Sequence, residues 1–180
     1  MAERTPYRIK RAEHPAELEG AVRAQAQAWR ESYGDLLASQ HIEQRNHEGD
    51  VARRTMEWAL ASQEGTWFWI LLDSRDNRVV GVASACPARD ADAPEILELA
   101  QLYLTDEVKG TGAAERLMEM TIGDMDCYLW VLAGNHRAIA FYRKHGFAAD
   151  GATQVDWGVR EIRMLRDRVP GPGVRQVASR

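Results

Sequence analysis

Between Glu98 and Leu117 an apolar run gives way to a short acidic turn, then to Lys109-Gly110-Thr111-Gly112-Ala113-Ala114, and then to helical spacing. A strand that hands over to a helix through small residues satisfies this order, so the chain builds an α/β unit here. Small residues at such a turn let several backbone N–H groups converge on one anion, and the helix dipole adds to the attraction. The glycines also answer a plainer need, because tight turns call for positive φ. Two familiar phosphate loops do not fit. Ala113 and Ala114 stand where a nucleoside-triphosphate loop needs Lys followed by Ser or Thr. Glu115 occupies the place of the third glycine of a dinucleotide fingerprint.

A second block follows from Leu129 to Phe147. It holds Asn135, Ala138, Phe141, Tyr142, Gly146 and Phe147 in the frame Asn-x-x-Ala-x-x-Phe-Tyr-x-x-x-Gly-Phe. In this order the two blocks resemble the GNAT superfamily of acetyl-CoA-dependent N-acetyltransferases. That family's pyrophosphate loop, Gln/Arg-x-x-Gly-x-Gly/Ala with an apolar helix residue three places on, is matched by Lys109, Gly112, Ala114 and Leu117. Lys109 departs from the usual Gln or Arg. The resemblance covers roughly Val79 to Leu165.

The resemblance implies one α/β domain over residues 1–168, with a mixed, mostly antiparallel sheet, helices on both faces and a splayed central strand pair. It implies acetyl-CoA as co-substrate, no metal, and a small-molecule or peptide amine as acceptor. Lys109, Gly110, Thr111, Gly112, Ala113 and Ala114 would hold the pyrophosphate. The backbone of Leu102, Tyr103 and Leu104 would bond the pantetheine arm and the thioester oxygen. Asn135 is a good helix N-cap by residue type, and the resemblance adds an amide bond to the cofactor arm. The N-terminal helices would build the acceptor pocket, with Trp29 and Tyr33 as lining or as plain core.

Acetyl transfer to an amine needs a base, because an alkylamine with a pKa of about 10.4 arrives protonated. Glu98 is the expected base, on the face of the strand shared with Ile96, Ala100, Leu102 and Leu104 if side chains alternate strictly. Apolar neighbours would raise its pKa. A structural, paired Glu98 is the competing reading. Tyr142 is the expected proton donor to the leaving thiolate, which similar proteins place beside the sulfur; a core tyrosine is its plainer alternative. A non-catalytic acyl-CoA sensor and a transferase of longer acyl groups are the rival functions.

Elsewhere, the spacing predicts a strand over Tyr7–Ala12 and a helix from His14-Pro15 to Ser32 with Val22, Ala26, Trp29 and Tyr33 inward. A short helix is predicted over Leu36–Gln40, and another over Asp50–Gln63 that turns Met56, Ala59 and Leu60 inward. Thr66–Asp73 and Val79–Pro87 read as a hairpin, and Glu95–Leu104 as the central strand. The helix after the glycine turn buries Ala114, Leu117, Met118, Ile122 and Met125. Cys127–Leu132 is a strand, Asn135–His145 a helix capped by Gly146, and Thr153–Arg166 one or two last strands. An exposed last strand offers an edge for a homodimer. Residues 169–180, with two prolines and two glycines, read as a mobile tail.

A formal net charge of −4 leaves no basic footprint for nucleic acid. Cys86 and Cys127 are far apart in apolar runs, and the five histidines lack metal-ligand spacing. With no leader and no apolar run long enough for a membrane, the chain reads as a soluble cytoplasmic protein.

Overall fold

The computed structural model describes residues 6–34, 36–156 and 158–167; the tail expected over 169–180 lies outside them. The order is β1 (Tyr7–Arg11), α1 (Pro15–Tyr33), α2 (Ser39–Asn46), α3 (Glu48–Gln63), β2 (Trp67–Asp73) and β3 (Val79–Pro87). Then come β4 (Leu97–Leu104), a 3-10 turn (Asp106–Val108), α4 (Ala113–Ile122), β5 (Cys127–Leu132), α5 (His136–Lys144), β6 (Ala148–Asp156) and β7 (Val159–Arg166). The strands form one sheet in the order β1-β2-β3-β4-β5-β7-β6. All neighbours are antiparallel except β4 and β5.

Alternation along β2 explains how both faces are covered. Phe68, Ile70 and Leu72 meet Val22 of α1 and Val51 and Trp58 of α3. Leu71 and Trp69 meet Val108 and Leu117 on the α4 side. Helix α1 begins with Pro15 at its first turn, and the Glu17 carboxylate accepts from the backbone N–H of Glu13 (2.9 Å) and His14 (3.3 Å). Gly146 takes φ +87° after α5, and the Phe147 N–H returns to the Tyr142 carbonyl at 3.0 Å, as expected of a left-handed helix end.

Two features of β4 position the site. It pairs with β5 only at Glu98–Tyr128, and beyond that pair the two parallel strands diverge. It also carries a bulge. Leu99 pairs with Ala85 and Gln101 with Ser84, leaving Ala100 as the extra residue. The bulge reverses the parity of the strand. Leu97 and Leu99, then Leu102 and Leu104, face α4 and α5. Gln101 and Tyr103 face α1. Glu98 therefore lies across the sheet from Leu102 and Leu104, and Ile96 is 87% exposed ahead of the strand, which corrects the shared face expected from strict alternation.

Other expectations also change. The short helix starts at Ser39 rather than Leu36, since Ser39–Asn46 carries the helical hydrogen bonds. In α3 the buried residues are Val51, Arg54 and Trp58, while Met56 (69%) and Leu60 (56%) face outward. Apolar character alone misplaced Met56 and Leu60 by nearly half a turn at about 100° per residue, while Ala59 is half-buried against the core as expected. Met125 is exposed beyond Gly123, which ends α4. Strand β6 begins at Ala148, earlier than expected. The last strand, β7, lies inside the sheet, and the exposed edge is β6.

Candidate active site

A cleft of about 840 Å³ starts at the glycine turn, passes between the diverging β4 and β5, and ends among residues of α1, α2, β6 and β7. Its first half is made of backbone. Gly110 and Gly112 sit at φ +81° and +79°, and Gly112 is the N-cap of α4. A Cβ added to either would meet no atom within 4 Å, so the space before the turn is open. The first-turn N–H groups of α4, from Ala113 and Ala114 on, have no acceptor within the helix and are free for an anion by helix geometry. Thr111 fastens the turn through its hydroxyl to the Val108 carbonyl at 2.7 Å.

Lys109 fastens the turn as well and lines the cleft. Its ammonium donates to Ser32 Oγ at 2.9 Å and pairs with Asp106. That ties the turn to α1. Beyond the bulge, the edge of β4 turned to β5 has no strand partner, so backbone groups along Leu102, Tyr103 and Leu104 open onto the cleft.

Asn135 caps α5, its side-chain oxygen accepting from the Ala138 N–H at 3.1 Å. It also lines the cleft beside Tyr33. Tyr142 is buried between Phe141 and Phe147, with ring centroids 5.5 and 5.6 Å away, and it borders the same cleft. Burial, with Tyr103 and Cys127 nearby, pushes its phenol well above the ordinary value. It stays protonated at neutral pH, as a donor must.

The far half is made of side chains. Trp29, Tyr33 and Tyr103 form an aromatic wall with centroids 5.3 to 6.5 Å apart. Both sequence-predicted acceptor residues thus reach the cleft, and both are core residues as well. The Arg45 guanidinium lies 3.6 Å over the Trp29 ring. Glu98 is 3% exposed and fully engaged. Its two oxygens accept from Arg89 at 2.8 and 2.5 Å, and one also accepts from the Tyr128 hydroxyl at 3.2 Å. The apolar setting expected for this carboxylate is absent, because the bulge turns it toward these polar partners.

A second carboxylate, Glu161 of β7, also borders the cleft. It accepts from the Gln154 side chain at 2.7 Å, and no cation pairs with it among the described residues. Burial raises its pKa, and the charges of Asp156 and Glu98 add to the effect. Sequence reasoning passed over Glu161. Its signal was the alternation of Glu161 and Arg163 with apolar Ile162 and Met164, but which strand stands next to β5 is known only from the sheet order.

Among the described residues no helix is long and apolar enough to cross a membrane, and no group of three or more His, Cys, Asp and Glu is arranged to hold a metal. The chain is 38% identical over 88 residues to an uncharacterized N-acetyltransferase of Mycobacterium tuberculosis, covering 46% of this chain and 54% of that protein. It thus spans about half the length of that relative. It is 32% identical over 117 residues to the uncharacterized N-acetyltransferase YjgM of Escherichia coli, covering 59% and 66%. Its fold is similar to the PaiA N-acetyltransferase of Thermoplasma acidophilum, solved with coenzyme A (TM-score 0.66, 19% identity, 88% of this chain and 98% of that one). It is similar as well to a histone acetyltransferase HPA2-related protein of Corynebacterium glutamicum (TM-score 0.68, 19% identity, 93% and 99%). The acetyltransferase (GNAT) family profile matches residues 26–147, and the chain belongs to that family.

Proposed function

We propose that this protein is an N-acetyltransferase that uses acetyl-CoA and passes the acetyl group to a primary amine by direct attack in a ternary complex. The observation that carries this reading is the single cleft that joins an open, positive-φ glycine turn to a strand splay and then to a polar, aromatic chamber. Acetyl-CoA bound along it supplies the activated acyl group. The N-terminal turn of α4 and the N–H groups of Gly110 to Ala114 hold the pyrophosphate. Free backbone groups of Leu102 to Leu104 hold the arm and bond the carbonyl oxygen where negative charge develops.

Tyr142 gives a proton to the departing sulfur. Glu161 takes the proton from the amine, since a carboxylate with a raised pKa suits a base near neutrality. Glu98, clamped by Arg89 and Tyr128, is a positioning residue that shapes the floor and adds charge beside Glu161. An acyl-cysteine route has no support. Both cysteines are buried away from the cleft, and burial pushes the Cys127 thiol up to about 11, far from the thiolate such a route needs. Two buried free thiols also fit a reducing, cytoplasmic setting.

Calorimetric titration with acetyl-CoA and a scan of amines for thiol release test the reading. Binding should raise Tm, by about 2.7 kcal/mol of stability at a hundredfold excess over Kd. Absence of binding at millimolar cofactor would overturn the cofactor assignment. Binding without thiol release from any amine would point to a sensor instead.

A further inference from the structure

Among the described residues, Arg54 stands out for two buried terminal nitrogens that find no hydrogen-bond acceptor. It is 5% exposed, on the inward face of α3, yet both terminal nitrogens, Nη1 and Nη2, are buried without a hydrogen-bond partner. Asp50 stands 3.7 Å away, in ion-pair range but too far to bond, and the Trp58 ring lies 5.7 Å from the guanidinium carbon. The other Asp50 oxygen is taken by Arg53. A buried guanidinium with unmet donors is costly, and a purely structural arginine at such a place normally saturates its fork.

Arg54 borders a cavity of about 280 Å³, which Gln25, His41, Arg45, Arg53 and Gln101 also line. Gln25, Arg45 and Gln101 line the acceptor end of the main cleft too. These three shared side chains are joined by hydrogen bonds, from Arg45 Nη1 to Gln25 Oε1 (3.3 Å) and from Gln25 Nε2 to Gln101 Oε1 (2.8 Å). Arg45, Arg53 and Arg54 border this cavity together with Asp50 and Glu57. Burial, with Arg45 close by, lowers the Arg54 pKa to about 10, so its positive charge is held at a cost.

We infer that the acceptor is an amine that also carries a carboxylate, and that Arg54 receives this carboxylate between α1, α2 and α3 while the amine faces the β4–β5 splay. A planar carboxylate matches the fork of a guanidinium in shape and in charge. A phosphate monoester is tetrahedral and carries about −1.5 to −2 near neutrality, a larger charge than one guanidinium offsets. The inference rests on the transferase reading for its use of the amine, and on the cavity alone for its use of the carboxylate.

The test uses the full chain with acetyl-CoA and follows thiol release. ω-Amino acids from glycine to 6-aminohexanoate are compared with their own amides, and phosphoethanolamine serves as the phosphate arm. At least one acid should exceed its amide by about tenfold or more in kcat/KM, in line with the rejection shown by sites built around a polar partner. Arg54→Met should bring that ratio toward one by loss on the acid, with CoA affinity and Tm maintained or Tm raised, because an apolar side chain of similar length removes unmet donors. Arg54→Lys, which keeps charge without the fork, should recover part of the preference and serves if the Met variant does not fold.

Equal rates for acids and amides in the wild type, or a preference that survives both substitutions, would overturn the inference. Faster turnover of phosphoethanolamine would overturn its carboxylate assignment. A lower Tm with unaltered preference would mark Arg54 as structural and also overturn it. Glutarate, which has no amine, separates this inference from the transferase reading. Calorimetric glutarate binding that Arg54→Met abolishes upholds the cavity even where no amine releases thiol, and only the transferase reading then falls. With no thiol release and no glutarate binding, the inference falls too.

Discussion

The two halves of the cleft are built from different materials. The half from the glycine turn to the splay comes from one stretch, residues 98–147, and works through backbone groups, a helix N-terminus and positive-φ glycines. The half beyond the splay draws on α1, α2, β6, β7 and side chains of β4 and works through an aromatic wall, Arg45 and two carboxylates of unlike environment, with Arg53 and Arg54 of α3 in the adjoining cavity. A common co-substrate can be held by a local backbone device that tolerates side-chain change. Selection of an acceptor needs charges and shapes that only distant segments bring together. The difference predicts where substitutions abolish binding and where they alter preference or pH response.

The strongest attempt to break this division is Gly112→Val. The turn requires φ near +79° there, a conformation a β-branched residue resists at a cost of about 1–3 kcal/mol. Its side chain would also fill the open space before α4. CoA affinity should fall beyond calorimetric detection in a protein whose circular dichroism remains native. Unchanged affinity in the folded variant would mean that the turn does not hold the cofactor. Next comes Tyr142→Phe, at the meeting of the two halves. It should lower kcat by roughly 100- to 10,000-fold, as loss of a general acid does, with CoA affinity unchanged because the buried ring keeps its packing. Full activity would leave binding and orientation as the whole of the catalysis.

The legibility of the two halves in the sequence follows the same line. Lys109–Ala114, Asn135, Tyr142, Gly146 and the strand order around them are local patterns, and the family resemblance added the sheet, the splay and the cofactor. The contact of Lys109 with Ser32 was not legible, because the two lie 77 residues apart in sequence. Glu98 was placed on the wrong face because an inserted residue at Ala100 leaves no mark on residue type, and strict alternation past a bulge flips every later side chain. Arg54 was overlooked for a related reason: Met56 and Leu60 look more apolar, yet tertiary packing buried the arginine and exposed them. Trp29 and Tyr33 were legible as inward residues, but their place beside Tyr103 depended on how α1 crosses the sheet.

The two carboxylates of the acceptor half sharpen the comparison further. If Glu161 is the base, wild-type kcat/KM rises with pH through its raised pKa, and Glu161→Gln loses about tenfold or more near neutrality, then follows the titration of the amine. Its stability moves the other way. A raised folded-state pKa means that ionised Glu161 costs the fold stability, absent below the ordinary carboxylate range and fully present once pH exceeds the raised value. Glu161→Gln should therefore match or exceed wild-type Tm at neutral pH. Glu98→Gln should keep the acidic limb of the pH–rate profile and lose less activity, while losing Tm by weakening the bonds to Arg89 and Tyr128. A profile in which Glu98→Gln loses the limb and Glu161→Gln keeps it would exchange their roles.

The smallest effect concerns how the acceptor wall is held in place. Helix α1 carries Trp29 and Tyr33, and its start is fixed by Glu17. Burial alone would raise this carboxyl's pKa, but N–H bonds from Glu13 and His14 and the Lys10 ammonium at 2.8 Å outweigh burial and hold it at about 2. A folded-state pKa below the unfolded value of 4.5 contributes stability that is complete above that value and is lost as pH falls toward 2. Glu17→Gln should cost about 1 kcal/mol at neutral pH, as loss of a helix cap does. The two proteins should then converge in Tm as pH drops through this window. Parallel Tm curves across the window would show that the charge on Glu17 does not hold α1, and that the aromatic wall is set by core packing alone.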